Sequence, residues 1–377
     1  MAQIELQNIT KNYGEKTALD DISLCVKDNE FFVLFGPAGA GKTTLLKTIA
    51  GIEFPQKGLV KINDNIVNHV EPLNRNVSMV FENYALYPQK TVYDNIASPM
   101  RSKLYRESEE HIRQAVNRVA KMMSIEHLLE RRPSELSNGQ RQRVAIGRCL
   151  VRKPNVFLMD EPLAHLDAKL RHFMRSELKE MQSAFNTTTL YVTHDYMEAM
   201  SLADRVAVLN NGRFEQIGTS NEMFYLPSNE FVAKLFGEPE INIFPAELNT
   251  NGDALELRAF EGNVTVVPCG DVVPQLKKSA QKIDIGVRGN DIRFSFQQEG
   301  RDWVRGSVYA NEPIGNKVVM TVDIFGTRFH LVAPNHTKAE LDQEVYIKFD
   351  EKNLIFFDSE TQKFITRSAM NRFLAKS

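Results

Sequence analysis

Residues 31–44 read Phe31-Phe-Val-Leu-Phe35-Gly36-Pro37-Ala38-Gly39-Ala40-Gly41-Lys42-Thr43-Thr44. Five consecutive apolar residues predict a buried strand, and Leu45, Leu46 and Ile49 beyond the glycines recur at helical spacing. A glycine-rich turn of the form Gly-x4-Gly-Lys-Thr between a strand and a helix is a phosphate cradle. Its backbone N–H groups curl around phosphate oxygens, and the helix N-terminus adds a positive dipole. Lys42 reaches the terminal phosphates, and the Thr43 hydroxyl can ligate Mg²⁺. The stretch predicts a nucleoside triphosphate site formed by Gly36, Pro37, Ala38, Gly39, Ala40, Gly41, Lys42, Thr43 and Thr44.

Outward from the cradle, the apolar run Val156–Met159 leads into Asp160, Glu161 and Pro162. Two carboxylates then stand at the C-terminal end of a buried strand, where parallel sheets bind ligands. Asp160 suits the Mg²⁺ shell and Glu161 suits polarising an attacking water. Leu190–Thr193 and Arg205–Leu209 add further strands of a largely parallel sheet, so the first two thirds of the chain read as α/β. Between Pro88 and Leu150, the residues Ile112, Ala115, Val116, Val119, Ala120 and Met123 recur at helical spacing among charges, which predicts an inserted helical subdomain.

After Phe236 the character changes to Gly, Pro and acids, then to short Val-, Ile- and Phe-rich runs between turn signals. An all-β domain is expected over 237–377, following a nucleotide-binding domain over 1–236. Within it Ile285-x-Val287 and Ile292-x-Phe294 are echoed at one constant offset by Ile347-x-Phe349 and Leu354-x-Phe356, a weak repeat of two β units that could close a small barrel. The end, 359–377, reads as a short helix or a frayed tail.

Composition narrows the function. A chain of 377 residues exceeds one usual core, and 42% hydrophobic residues exclude global disorder. A net charge of −2 makes nucleic acid an unexpected partner. Cys25, Cys149 and Cys269 are far apart, which fits a reducing cytoplasm. No apolar run approaches the ~20 residues of a spanning helix, so any membrane role needs a separate membrane partner.

The segment Leu136-Ser137-Asn138-Gly139-Gln140, between the glycine loop and the Asp160 strand, strongly resembles the signature of the ATP-binding cassette family. Physically it is a second helix N-terminus presenting a hydroxyl and free N–H groups. The resemblance implies that Ser137, Asn138, Gly139 and Gln140 close on the γ-phosphate held by a partner cassette, with two ATP sandwiched in a dimer. It further implies that Tyr13 stacks on adenine, that Ala164–Asp167 is the D-loop and that His194 is the switch histidine. Phe81–Pro88 resembles the Q-loop of cassette subunits from maltose-type sugar importers, and the C-terminal part resembles their appended TOBE domain through Ile285–Ile292 and Gly306–Gly315.

This resemblance spans essentially the whole chain and implies a P-loop, RecA-like domain followed by an OB/MOP-like β domain. The implied activity is ATP hydrolysis with ATP and Mg²⁺, energising import of a carbohydrate-type solute; polyamine, iron and glycerol phosphate are the alternative cargoes. The implied partners are a second cassette, identical or paralogous, two membrane-spanning permease subunits and, indirectly, an extracytoplasmic solute-binding protein. The implied location is the cytoplasmic face of the inner membrane.

Three departures stand out. Glu82 replaces the family's Gln, Asn138 replaces the first signature glycine, and Arg288-Gly-Asn-Asp291 replaces Arg-Pro-Glu-Asp. Glu82 places another carboxylate near Glu161, where it either slows hydrolysis by like-charge repulsion or joins Thr43 and Asp160 as a metal ligand. A weakly hydrolytic, regulatory cassette therefore stays open as a second reading. Asn138 is expected to be tolerated, because Asn accepts left-handed backbone and its amide can donate to phosphate.

Overall fold

The computed structural model describes residues 2–251, 254–279 and 282–370. Packing divides the chain into two units, Met1–Ser220 and Asn221–Ser377.

The first unit is built on a six-stranded sheet in the order Arg213–Gly218, Arg205–Asn210, Phe31–Phe35, Thr188–Thr193, Val156–Asp160 and Val77–Val80. All neighbours run parallel except the first pair. Phe31–Phe35, Val156–Asp160 and Thr188–Thr193 are buried along their whole length, which is why they read as unbroken apolar or Thr-rich runs rather than alternating ones. In register, Phe35 lies opposite Thr193 and Asp160 opposite Val192. The loops after these three strands therefore emerge together at one edge of the sheet.

A four-stranded antiparallel sheet, with Ile4–Tyr13 between Lys16–Val26 and Lys57–Ile62, shares the core of Phe32, Leu34, Leu45 and Leu158. Its strands alternate buried and exposed residues, so a search for continuous apolar runs passes over them. The helical insert is present as Val92–Ala97, Glu109–Met122 and Asn138–Leu150. Ser108 caps the middle helix by accepting from the His111 N–H, and Ile112, Ala115, Val116, Val119 and Ala120 form its buried face. Gly147 lets the last helix approach, since a Cβ there would stand 3.0 Å from Val119 Cγ1.

The second unit consists of two antiparallel sheets, of six and five strands, over one core that includes Phe244, Ile285, Val308, Phe329, Ile347 and Phe356. The sequence repeat is visible as strand exchange. Lys282–Val287 and Ile292–Ser295 form one copy, Glu344–Phe349 and Ile355–Asp358 the other, and the first strand of each pairs with the second strand of its counterpart. Ile285 thus faces Phe356, while Phe294 faces Ile347.

The packing boundary falls earlier than the composition shift at 236. Arg288, 5% exposed, donates to the carbonyls of Phe224, Ala233 and Phe236, and Arg367 donates to Tyr225. These bonds tie the helices Ser220–Tyr225 and Glu230–Leu235 to the β unit. Burial pushes both guanidiniums down to about 10. The expectation of a helix or frayed end for 359–377 is corrected, because Phe364–Arg367 pairs with Ile355–Asp358 as an edge strand; 371–377 lie outside the described residues. Arg288→Met will leave three carbonyls, two of them buried, without this donor and lower stability by about 3 kcal/mol. Denaturant unfolding of the full chain checks this, and a loss under about 1 kcal/mol would contradict the clamp.

Candidate nucleotide site

Close backbone approach shapes the glycine loop. Gly36 has φ 151° and Gly41 φ 110°, and a Cβ would stand 2.2 Å from the Leu209 carbonyl oxygen at the first and 2.5 Å from that of Ala18 at the second. The helix Lys42–Ala50 starts on Gly41, which has no side chain to cap it, so its first N–H groups are left for an anion. Lys42 is buried, and its Nζ donates to the carbonyls of Gly36 at 2.8 Å and Pro37 at 2.9 Å. Burial lowers its pKa, opposed by the charges of Glu161, Asp160 and Glu82.

Across the sheet edge, Thr43 Oγ1 donates to Asp160 Oδ1 at 3.2 Å. Asp160 is 2% exposed, and burial, with the charges of Glu82 and Glu161 acting in the same sense, pushes its carboxyl up to about 6 against the Thr43 bond. A hydroxyl and a desolvated carboxylate, beside further negative charge, form an oxygen donor set suited to a hard divalent cation. Among the described residues, no cluster of three or more His, Cys, Asp and Glu side chains makes a self-sufficient metal site. A cation here would complete its shell with phosphate and water.

Glu161 is left-handed at φ 46°, and its Oε2 lies 3.0 Å from His194 Nδ1. Its N–H donates to the Val192 carbonyl at 3.0 Å, so the two strand ends brace each other. Glu82 is exposed on the loop after Val77–Val80, and its charge reaches both Asp160 and Lys42. The structure therefore gathers Lys42, Thr43, Asp160, Glu161, His194 and Glu82 at one edge.

Two expected groups stand elsewhere. Tyr13 is 45% exposed with the Lys11 ammonium 5.0 Å over its ring. Ser137 and Gln140 satisfy one another in a capping box, while Ser137 and Asn138 face solvent and Gly139 lies against the His165 carbonyl. Among the described residues, no hydrogen bond or ion pair joins either group to 36–44.

Sequence reading missed the residues that hold these loops. Arg148 donates to the carbonyls of Tyr84 and Ala85, both left-handed, at 2.9 and 2.7 Å. Asn95, fully buried, accepts from the Tyr87 N–H and donates to the Tyr87, Lys90 and Thr91 carbonyls. Gln142 is buried between Glu161 and His165. The available signal was a polar side chain inside an apolar stripe: Gln142 shares a helix face with Ala145, Ile146 and Cys149.

Residues 19–164 match the ABC transporter family. The trehalose/maltose import ATP-binding protein MalK of Thermococcus litoralis is 41% identical, over 97% of this chain and 100% of that protein. The sn-glycerol-3-phosphate import ATP-binding protein UgpC of Cupriavidus necator is 45% identical, again over 97% and 100%. The xylose/arabinose import ATP-binding protein XacK of Haloferax volcanii is 38% identical over 96% of this chain and 94% of its own. Among solved structures, the dimeric post-hydrolysis state of the ATP-binding cassette MJ0796 bound to ADP and Pi matches with TM-score 0.54 at 30% identity, covering 58% of this chain and 98% of that one.

Proposed function

The chain belongs to the ABC transporter family, and from that premise we propose that Glu161, with His194, carries out the ATP hydrolysis by which this subunit energises import of a carbohydrate-type solute. The observation that carries the residue assignment is the Glu161–His194 contact of 3.0 Å beside the Thr43–Asp160 pair. Relatives named for import of trehalose/maltose and xylose/arabinose support a carbohydrate cargo.

ATP lies along residues 36–44 with Tyr13 against its base, and Lys42 exchanges its two loop carbonyls for phosphate oxygens. A water oxygen attacks the γ-phosphorus, the bond to the bridging oxygen breaks toward ADP, and Glu161 takes the water's proton. His194 holds the Glu161 carboxylate and the γ-phosphate in line. Thr43 and Asp160, with Glu82 as a third candidate, would hold Mg²⁺, which neutralises charge building on the phosphates. Ser137–Gln140 of a second cassette supplies the donors on the far side of the γ-phosphate, so ATP should dimerise the protein.

A groove of about 530 Å³, lined by Phe81, Ala85, Tyr87, Ser98, Pro99 and Arg148, joins the Glu82 loop to the helical insert. It suits a short helix of a permease subunit. No helix among the described residues is long and apolar enough to cross a membrane. The proposed subunit lies on the cytoplasmic face and reaches the solute only through its permeases. The decisive experiment is co-purification with the membrane subunits, followed by identifying which solute raises ATP turnover. Crosslinks from the groove that reach only lipid would contradict the docking.

The reach of Glu82's charge to Asp160 keeps the weakly hydrolytic reading in play. Glu82→Gln removes that repulsion and is expected to raise turnover about threefold at neutral pH and to lower the Mg²⁺ needed for half-maximal rate. A fall in turnover would instead make Glu82 a metal ligand, and superimposable Mg²⁺ titrations would give it no catalytic role.

A further inference from the structure

The helix Asn138–Leu150 opens on the solvent-facing Ser137–Gln140 segment, yet its second turn sends one amide inward. Gln142 is 1% exposed. Its Nε2 donates to the Glu161 carbonyl at 3.3 Å, and its Oε1 accepts from the His165 N–H at 3.1 Å. Burying an amide costs desolvation that a packed Met or Leu would avoid, so the two bonds point to placement rather than filling.

What the amide holds is the backbone that aims the carboxylate. Glu161 sits at φ 46°, a region a residue with a side chain occupies only when its surroundings impose it. The following loop is gripped from its other side by Arg171, which donates to the Ala164 and Leu166 carbonyls at 3.3 Å. Gly139 closes the gap between helix and loop, because a Cβ there would lie 3.3 Å from the His165 carbonyl oxygen. Helix and loop are therefore tied to one another by backbone contacts on both sides of Gln142.

We propose that Gln142 is a positioning residue that couples the two ATP sites of the cassette dimer. The inference rests on the dimeric reading above. In that arrangement Ser137–Gln140 of one chain meets the nucleotide held by its partner, whereas Glu161 of the same chain acts on its own nucleotide. Gln142 connects the two within one chain. Seating the helix on the partner's γ-phosphate sets the Glu161 backbone through the amide, so hydrolysis at one site depends on occupancy of the other.

The test is turnover against ATP concentration for the full chain as wild type, Gln142→Met and Gln142→Glu, with melting temperatures alongside. Wild type is expected to give a Hill coefficient approaching about 2. Gln142→Met should bring it toward 1 and lower kcat about tenfold, with half-saturation within about twofold and Tm unchanged. Gln142→Glu keeps the shape and the acceptor for His165 but loses the donor to Glu161, so it should lose as much kcat, and it serves where the Met variant does not fold. Wild-type steepness and kcat retained in either folded variant would overturn the proposal, as would a hyperbolic wild-type curve. Light scattering of the Glu161→Gln chain separates the two levels. A mass unchanged by ATP removes the dimeric reading itself, whereas a dimer together with unaltered Gln142 kinetics removes only the coupling.

Discussion

Glu161→Gln will lower ATP turnover at least about 100-fold while ATP remains bound, because the amide keeps the shape of the side chain but cannot take the water's proton. Glu161 is the carboxylate paired with His194, and Asp160 is engaged by Thr43 and too deeply buried to substitute. Glu82, whose charge reaches Asp160 and Lys42, is the residue to test for residual turnover in this variant. ATP should then accumulate unhydrolysed and hold two chains together, doubling the mass of the variant in light scattering. Turnover within a factor of two of wild type would remove Glu161 from the chemistry.

Lys42→Ala acts one step earlier and is expected to weaken ATP binding about 100-fold, as loss of a charged bond to phosphate in a desolvated site does. The side chain also serves the loop itself, where it donates to the Gly36 and Pro37 carbonyls. Truncation therefore removes both the phosphate contact and two bonds that keep the cradle formed. Lys42→Arg should not restore binding, because a planar guanidinium is too large for a position 6% exposed against those carbonyls. Isothermal titration with ATP measures the effect, and an affinity within about threefold of wild type would contradict the role given to Lys42.

By itself the sequence determined what is local. Gly36–Thr44 needs neighbouring N–H groups, one ammonium and one hydroxyl at set spacing, and the run Val156–Met159 before Asp160 announces a buried strand end; both are legible from adjacent residues. The β-unit repeat was legible for the same reason, since each strand keeps its own apolar alternation. Tertiary structure decided which chain ends meet. Glu161 reaches His194 only because Val156–Asp160 and Thr188–Thr193 are parallel neighbours in one register, and no single segment encodes that pairing. It also decided the roles of Gln142, Arg148 and Arg288, whose partners are backbone carbonyls and N–H groups 19 to 64 residues away. A backbone partner leaves no side-chain type to recognise, so such clamps appear only once the chain is folded.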